Sequence, residues 1–227
     1  MTIPVSVIIP LAPGEQAWRE LIPQLKLPSG SEIVLAVGEA EFETKGFSVK
    51  TVSGSKGRAA QMNAAARQAN NAILWFLHAD SRLSPDAIAK LMNCVGENAD
   101  CLWFFKLKFS DDGPSAMKWN EWAVRWRAGF LKMPFGDQGF CISKKLFEKL
   151  GGYREDLAYG EDHVFVWKVR QEGYPVMCVG TSISTSARKY RENGWFSTTL
   201  LFVSRTVWQG VPQRVLLLKR QMGRLFS

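Results

Sequence analysis

Between Ala72 and Leu77 the chain runs through Ala-Ile-Leu-Trp-Phe-Leu without a polar side chain, then stops at His78, Asp80 and Ser81. An apolar run of this length without alternation suits a strand covered on both faces, as in a parallel sheet with helices above and below. In open α/β sheets, ligands bind at the carboxyl ends of such strands. The run therefore carries an imidazole and a carboxylate to the edge where a working site is expected. The competing reading is a polar turn in which Asp80 caps a helix beginning at Ser84-Pro85-Asp86.

The flanking sequence repeats the pattern. Val5–Pro10 and Glu32–Val37 read as two further buried strands, and Phe47–Val52 as a third. Helical spacing covers Ala17–Leu25, shortened by Pro23. The loop Ser53–Arg58 opens an Ala-rich helix running to about Asn70, and Ser84–Gly96 forms the next. This order predicts a doubly wound α/β fold with a mainly parallel central sheet and helices on both faces. The C-terminal half is more elaborate: a strand over Asp100–Phe109, a helix over Met117–Leu131, a strand at Phe140–Ser143, a helix at Lys144–Leu150, and one from Glu161 to near Gly173. Trp119, Trp122, Trp126 and Phe130 recur at spacings of three and four, so that helix carries an aromatic stripe, read as core or subunit interface rather than a sugar-stacking platform. No Pro-, Ser- or Gly-rich linker divides the chain, so a single domain over residues 1–227 is expected.

Composition excludes several classes. Hydrophobic residues at 46% and charged residues at 22% are ordinary for a globular protein. No window holds the 18 or so consecutive apolar residues of a spanning helix. Met1-Thr2-Ile3-Pro4 lacks the basic region of a secretory signal, and Cys94, Cys101, Cys141 and Cys178 form no CxxC pair, so a cytoplasmic protein with reduced thiols is expected. With only His78 and His163 there is no basis for a structural zinc site. The net charge of +8 is concentrated after Thr181, where eight Lys or Arg face one acid, Glu192. Such a basic segment suits nucleic acid, anionic lipid or a phosphorylated ligand; no nucleic-acid signature accompanies it, so no nucleic-acid partner is expected.

Three pieces carry chemistry. Gly54–Arg58 brings backbone N–H groups and two cations to a helix N-terminus, which suits a phosphate, although the P-loop spacing is absent and a solvated turn is the other reading. Asp80 offers a hard oxygen ligand for a divalent metal. Glu161-Asp162 opens a helix, where the macrodipole favours negative charge, and a carboxylate there can take a proton from a hydroxyl; acidic first turns also occur for stability alone.

Taken in order, Val5-Ser-Val-Ile-Ile-Pro10, Lys56-Gly-Arg-Ala-Ala-Gln-Met-Asn63, Leu77-His-Ala-Asp-Ser81, Gly136-Asp-Gln138 with Gly151-Gly-Tyr153, and Glu161-Asp162 resemble the family 2 glycosyltransferases of GT-A fold, over roughly residues 3–180. The stretch from Gly57 to Asn63 with His78-Ala79-Asp80 is especially similar to a bacterial subgroup of transferases. The resemblance implies transfer of a sugar from a nucleotide-sugar donor to an acceptor hydroxyl, inverting and metal-dependent. It implies a donor half over 1–97 and an acceptor half over 98–180; the charge count leaves a basic amphipathic segment over 181–227. Pro10 and Leu11 would lie against the nucleotide, and Arg58, Gln61 and Asn63 would face it and its phosphates. Asp80, last residue of the family's DxD-like motif, would hold Mg²⁺ or Mn²⁺ on the pyrophosphate. Asp162 would be the general base; Asp137, Gln138 and Glu161 would line the acceptor side, and Arg188 would return to the donor phosphates. Two positions depart from the pattern: His78 replaces the first acid of the motif, and Gly38-Glu39 follows the second strand where an aspartate normally binds the base, leaving Glu39 as its substitute.

Two other readings stay open at this stage. One is a sugar-nucleotide nucleotidyltransferase on a related fold, although Leu11-Ala-Pro-Gly-Glu15 lacks the glycine-rich basic loop such enzymes carry. The other is a non-catalytic nucleotide-binding or scaffold protein, favoured by the missing acids. Gly194–Leu218 mixes Trp195, Phe196, Leu200, Leu201, Val203, Val207 and Trp208 with Arg205 and Arg214. It reads either as a helix packed on the catalytic half with its charges in water, or as a peripheral contact with anionic lipid that would suit a lipid-linked acceptor. Self-association through the aromatic stripe would make a homo-oligomer.

Overall fold

The computed structural model describes residues 3–38 and 43–225. At its centre β1 (Val5–Pro10) lies between β2 (Glu32–Val37) and β4 (Ile73–Phe76), all three parallel, with β3 (Lys50–Ser53) parallel outside β2. The eight strands follow the order β3-β2-β1-β4-β7-β6-β8-β5. Four pairings are parallel, and those of β4 with β7 (Phe140–Ser143), β6 (Leu102–Phe109) with β7, and β8 (Val176–Thr185) with β5 (Arg82–Leu83) are antiparallel. The α/β class expected from the sequence is the one found.

The unbroken apolar runs have a direct cause. Ile8, Leu74 and Phe76 pack on one face, beneath α2 (Arg58–Gln68), α5 (Lys144–Lys149) and α6 (Glu161–Gln171). Val7, Ile9, Ile73, Trp75 and Leu77 pack on the other, with Trp18 of α1 (Trp18–Leu21) and Leu91 and Val95 of α3 (Ala87–Glu97). Side chains alternate between faces along a strand, so a sheet covered on both sides needs every position apolar.

Several boundaries differ from expectation. The first helix is one turn followed by a 3-10 turn, Ile22–Gln24, with Pro23 inside it. The third strand starts at Lys50 rather than Phe47, because the Phe47 ring is drawn onto Trp18, centroids 5.1 Å apart. The helix placed at Ser84 begins at Ala87; Ser84 Oγ instead donates to Ser182 O and Asp86 Oδ1, which ties β5 to β8. Asp80 caps no helix, since its carboxylate is used elsewhere.

The largest correction concerns α4 (Met117–Gly129). Its inward residues are Met117 and Ala128, whereas Trp119, Trp122, Trp126 and Phe130 are 51–76% exposed. The aromatic stripe is therefore not core in this chain. Beyond the short α7 (Arg188–Glu192), α8 (Trp195–Leu225) runs 31 residues with Pro212 inside. One face packs on α6, where Gln171 Nε2 donates to Gln213 O (3.1 Å) and Leu217 is buried; Phe196, Val203, Val207 and Trp208 lie on the exposed side. Among the described residues no helix is long and apolar enough to cross a membrane.

Candidate active site

The parallel strands end at one edge of the sheet, where backbone bonds from Leu11 N to Ala36 O (2.9 Å), Gly54 N to Val37 O (2.9 Å) and Leu77 N to Ile8 O (3.0 Å) prolong the pairing. β7 runs the other way, with Phe140 opposite Phe76, so the loop that precedes it is brought back to the same edge. That loop, a 3-10 turn over Gly136–Gln138, meets the first turn of α6.

Arg58, first residue of α2, links the pieces. Its Nη1 lies 3.3 Å from Glu161 Oε1, a carboxylate almost wholly buried, and its Nη2 donates to His78 Nε2. A guanidinium N–H can only donate, so this ring nitrogen accepts. Beside the pair, Asp162 Oδ2 accepts from Gly136 N (2.5 Å), and Oδ1 accepts from the N–H of the next residue, His163 (2.8 Å). Glycine is required at residue 136 by proximity: a Cβ there would stand 2.8 Å from Asp162 Oδ2 and 3.4 Å from Arg58 Nη2. Arg58, His78, Glu161 and Asp162, four candidates from three separate parts of the sequence, thus converge.

Asp137 stands next to them. One of its oxygens is sealed from solvent without a hydrogen-bond partner. Burial pushes its carboxyl up to about 6; the Arg127 charge pulls it down, Asp162 and Asp80 add to the rise, and Arg58 opposes it. Arg127 comes from α4, its guanidinium carbon 3.3 Å from the Phe135 ring centroid, with Nε and Nη2 buried and unpartnered; burial lowers its pKa to about 10. Nothing in the sequence singled out Arg127. The only signal was an arginine at the stripe's end, off the tryptophan spacing.

Asp80 reaches the same edge by another route. Its Oδ2 accepts from Thr185 Oγ1 (2.9 Å) and Ser186 N (3.4 Å), while Asp112 takes Ser186 Oγ (2.5 Å) and Ala187 N (2.8 Å). Two carboxylates thereby pin the end of β8. Among the described residues no three His, Cys, Asp or Glu side chains form a metal cage. Asp80 fits the other kind of site, in which Mg²⁺ or Mn²⁺ takes one carboxylate and completes its shell from substrate phosphates and water. The two bonds it makes leave Oδ1 uninvolved.

The remaining candidates have other occupations. Gln138 Nε2 donates to Phe105 O (2.9 Å) and its Oε1 accepts from Phe135 N (3.1 Å), so the side chain braces its own loop. Asn63 Nδ2 donates to Tyr153 O and Glu155 Oε1 (both 2.8 Å), and Oδ1 accepts from Tyr153 N (2.9 Å). Buried Gln61 lies against Gly38 and Gly54, at the ends of β2 and β3. Leu11 is buried in the core, leaving its backbone and the half-buried Pro10 at the edge. Arg188 pairs with Glu192 (3.5 Å) on the surface of α7. Glu39 falls outside the described residues. Two surface hollows, one by Lys132, Arg170 and Leu217 and one by Leu25, Glu32 and Lys50, contain no member of the cluster. The convergence of charged groups, not concavity, marks the site.

Comparison with known proteins agrees with this fold. The profile described as "Glycosyl transferase family 2" matches residues 32–151. Among solved structures, S. aureus TarS 1-349 superposes with a TM-score of 0.64 at 15% identity, covering 81% of this chain and 60% of that one. The same TarS segment in complex with UDP-GlcNAc gives 0.62 at 16% identity, covering 81% and 58%. GalNAc-T7 with UDP, GalNAc and Mn²⁺ gives 0.61 at 14% identity, covering 82% and 44%. The chain thus spans about 60% of the TarS segment it resembles. No curated protein matches by sequence.

Proposed function

Because this chain belongs to glycosyl transferase family 2, we propose that it transfers a sugar from a nucleoside-diphosphate-sugar donor to an acceptor hydroxyl with inversion at the anomeric carbon. The observation that carries the reading is the convergence of Asp162, Glu161, Arg58 and His78 beside Asp80 at the carboxyl edge of the parallel strands. Residues 1–97 form the donor half and 98–180 the acceptor half of one domain.

The roles follow from the chemistry. The anomeric carbon–oxygen bond to the diphosphate breaks as the acceptor oxygen forms its own bond from the opposite face, and the hydroxyl proton passes to Asp162. A carboxylate gripped by two backbone N–H donors is held in one orientation, which general-base catalysis requires. Arg58 faces the phosphates and spreads the negative charge that develops on the leaving group. Asp80, with the donor's phosphates, would hold Mg²⁺ or Mn²⁺, which would supply further charge compensation there. Pro10, the Leu11 backbone, Gln61 and Glu39 belong to the nucleotide side. Asp137 lines the acceptor side on a loop that Gln138 braces.

The test is thermal shift with UDP, GDP and other nucleotides, each with and without Mn²⁺, followed by calorimetry on the best binder. Stabilisation by one nucleoside diphosphate that depends on metal is the expected result. Absence of any nucleotide response would overturn the transferase reading and favour a non-catalytic protein with this fold.

A further inference from the structure

The two longest helices among the described residues, α4 and α8, leave a surface that the transferase reading does not use. α4 exposes Trp119, Trp122, Trp126 and Phe130, the last two with rings stacked at 5.6 Å. α8 exposes Phe196, Leu200, Val203, Val207, Val211 and Leu218, which recur at spacings of three, four and seven, with Trp208 flanking them at 80% exposure. The two helices meet through Asn120, which accepts from Trp195 Nε1 (2.7 Å) and donates to Thr199 Oγ1 (3.3 Å). Scattered exposed apolar residues need no explanation, but this many on two adjoining helices do.

The charges beside them select the occupant. Along the described side chains of α8 the charged groups are two cations, Arg205 and the exposed Arg214, and the sequence has no acid between Trp195 and Leu225. On α4, Lys118 and Arg125 are exposed, whereas its one acid, Glu121, is occupied by Phe109 N (2.7 Å). A second copy docked face to face would set cation against cation, because a two-fold contact pairs the same patch with itself. A bilayer rich in anionic headgroups complements both parts, taking the aromatic and aliphatic side chains at the acyl boundary and the cations among phosphates. Neither helix is apolar enough to span.

We propose that the exposed α4–α8 face docks on an anionic membrane surface. Both helices also touch the walls of the candidate site: Arg127 of α4 covers Phe135, and Gln209 of α8 bonds His163, the neighbour of Asp162. Docking would hold the site close above the headgroups, within reach of a hydroxyl borne by a lipid. The docking claim does not depend on the transferase reading.

Flotation of the full chain tests it, using vesicles of phosphatidylcholine alone and of equal parts phosphatidylcholine and phosphatidylglycerol. The expected result is flotation with the anionic vesicles only, released by high salt because screening shortens the reach of surface charge. Replacing exposed Trp122 and Trp208 by Ser should abolish flotation while leaving the melting temperature unchanged. Arg125→Gln and Arg214→Gln should each weaken partition about fivefold. Wild-type protein left unfloated by anionic vesicles at low salt overturns the proposal. So does equal flotation on phosphatidylcholine alone, or a dimer by light scattering that Trp122→Ser with Trp208→Ser dissociates; that last result would make the face a contact between copies. Nucleotide binding, read separately by thermal shift, distinguishes failure here from failure of the transferase reading.

Discussion

Asp162 and Gly136 are joined by a 2.5 Å hydrogen bond from the glycine N–H to carboxylate Oδ2, across the 26 residues that separate them in the chain. The second oxygen takes the N–H of His163 (2.8 Å). The orientation of the proposed base therefore depends on the loop before β7 as much as on its own helix.

Gly136→Ala should show this dependence. The new Cβ would fall 2.8 Å from Asp162 Oδ2 and 3.2 Å from its Cβ, so the carboxylate must turn away. Transfer, followed as nucleoside diphosphate release, is expected to drop on the order of 10²-fold, the scale of a roughly 1 Å misplacement, with donor affinity little changed.

Asp162→Asn should lower transfer by about 10²–10⁴-fold while calorimetry finds donor binding nearly intact. The amide keeps one acceptor where the carboxylate has two, so either Gly136 N or His163 N loses its partner and stability falls by about 1 kcal/mol. A variant as fast as wild type would remove Asp162 from the base role.

Two substitutions separate the hydrogen bonds of Asp80 from the metal role proposed for it. Asp80→Ala deletes the acceptor of Thr185 Oγ1 and Ser186 N, and should cost about 1–2 kcal/mol by denaturant unfolding besides abolishing metal-dependent donor binding. Asp80→Asn retains an acceptor oxygen for those bonds and should recover most of the stability without recovering the metal dependence.

Asp137 gives a pH signature. Burial raises its folded value to about 6, above that of the unfolded chain, so between about pH 4 and pH 6 the folded state holds more proton than the unfolded one. Stability contributed at this site is then greatest below the unfolded value and lost as pH rises through the folded one. Unfolding of wild type against Asp137→Asn should favour wild type more at pH 4 than at pH 7, by about 1–2 kcal/mol. A difference independent of pH would show that the carboxyl is not perturbed.

Asn63→Ala separates a structural residue from a nucleotide contact. The change strands Tyr153 N and O, both partnered by the amide, and should destabilise by about 2–4 kcal/mol in urea. Donor affinity measured below the unfolding transition should change less than threefold, roughly the effect of well under 1 kcal/mol.

What the sequence revealed and what it hid divide along physical lines. β1, β2 and β4 were legible because both faces are covered, which favours apolar residues at nearly every position. The start of α6 was legible because Glu161-Asp162 follows Gly160, left-handed at φ 74°. β8 went unrecognised: its residues alternate buried and open, Gly180 interrupts the run, and the pairing with β6 shifts register between Phe104 and Lys106. Arg127 was hidden by its neighbours, since the tryptophans of α4 suggest an inward face that the helix in fact turns outward. Asp80's bonds to Thr185 and Ser186 span 105 and 106 residues and leave no local trace. Asn63 was seen, but its partners, the backbone of Tyr153 and the carboxylate of Glu155, lie some 90 residues away.

The Gln209 side chain straddles the residues around Asp162: Nε2 donates to Tyr159 O (2.8 Å), Oε1 meets His163 Nδ1 (3.3 Å), and Gly160 between them has no side chain to get in the way. His163 Nε2 in turn accepts from Trp167 Nε1 (3.0 Å), so the ring must be neutral to satisfy both neighbours, and burial holds its pKa below the usual histidine value. One amide from a distant helix therefore fixes the turn before the proposed base and the residue after it. A tilt or shortening of α8, well beyond the segment that the family profile matches, would be felt through Gln209 and His163 at the carboxylate proposed as the base.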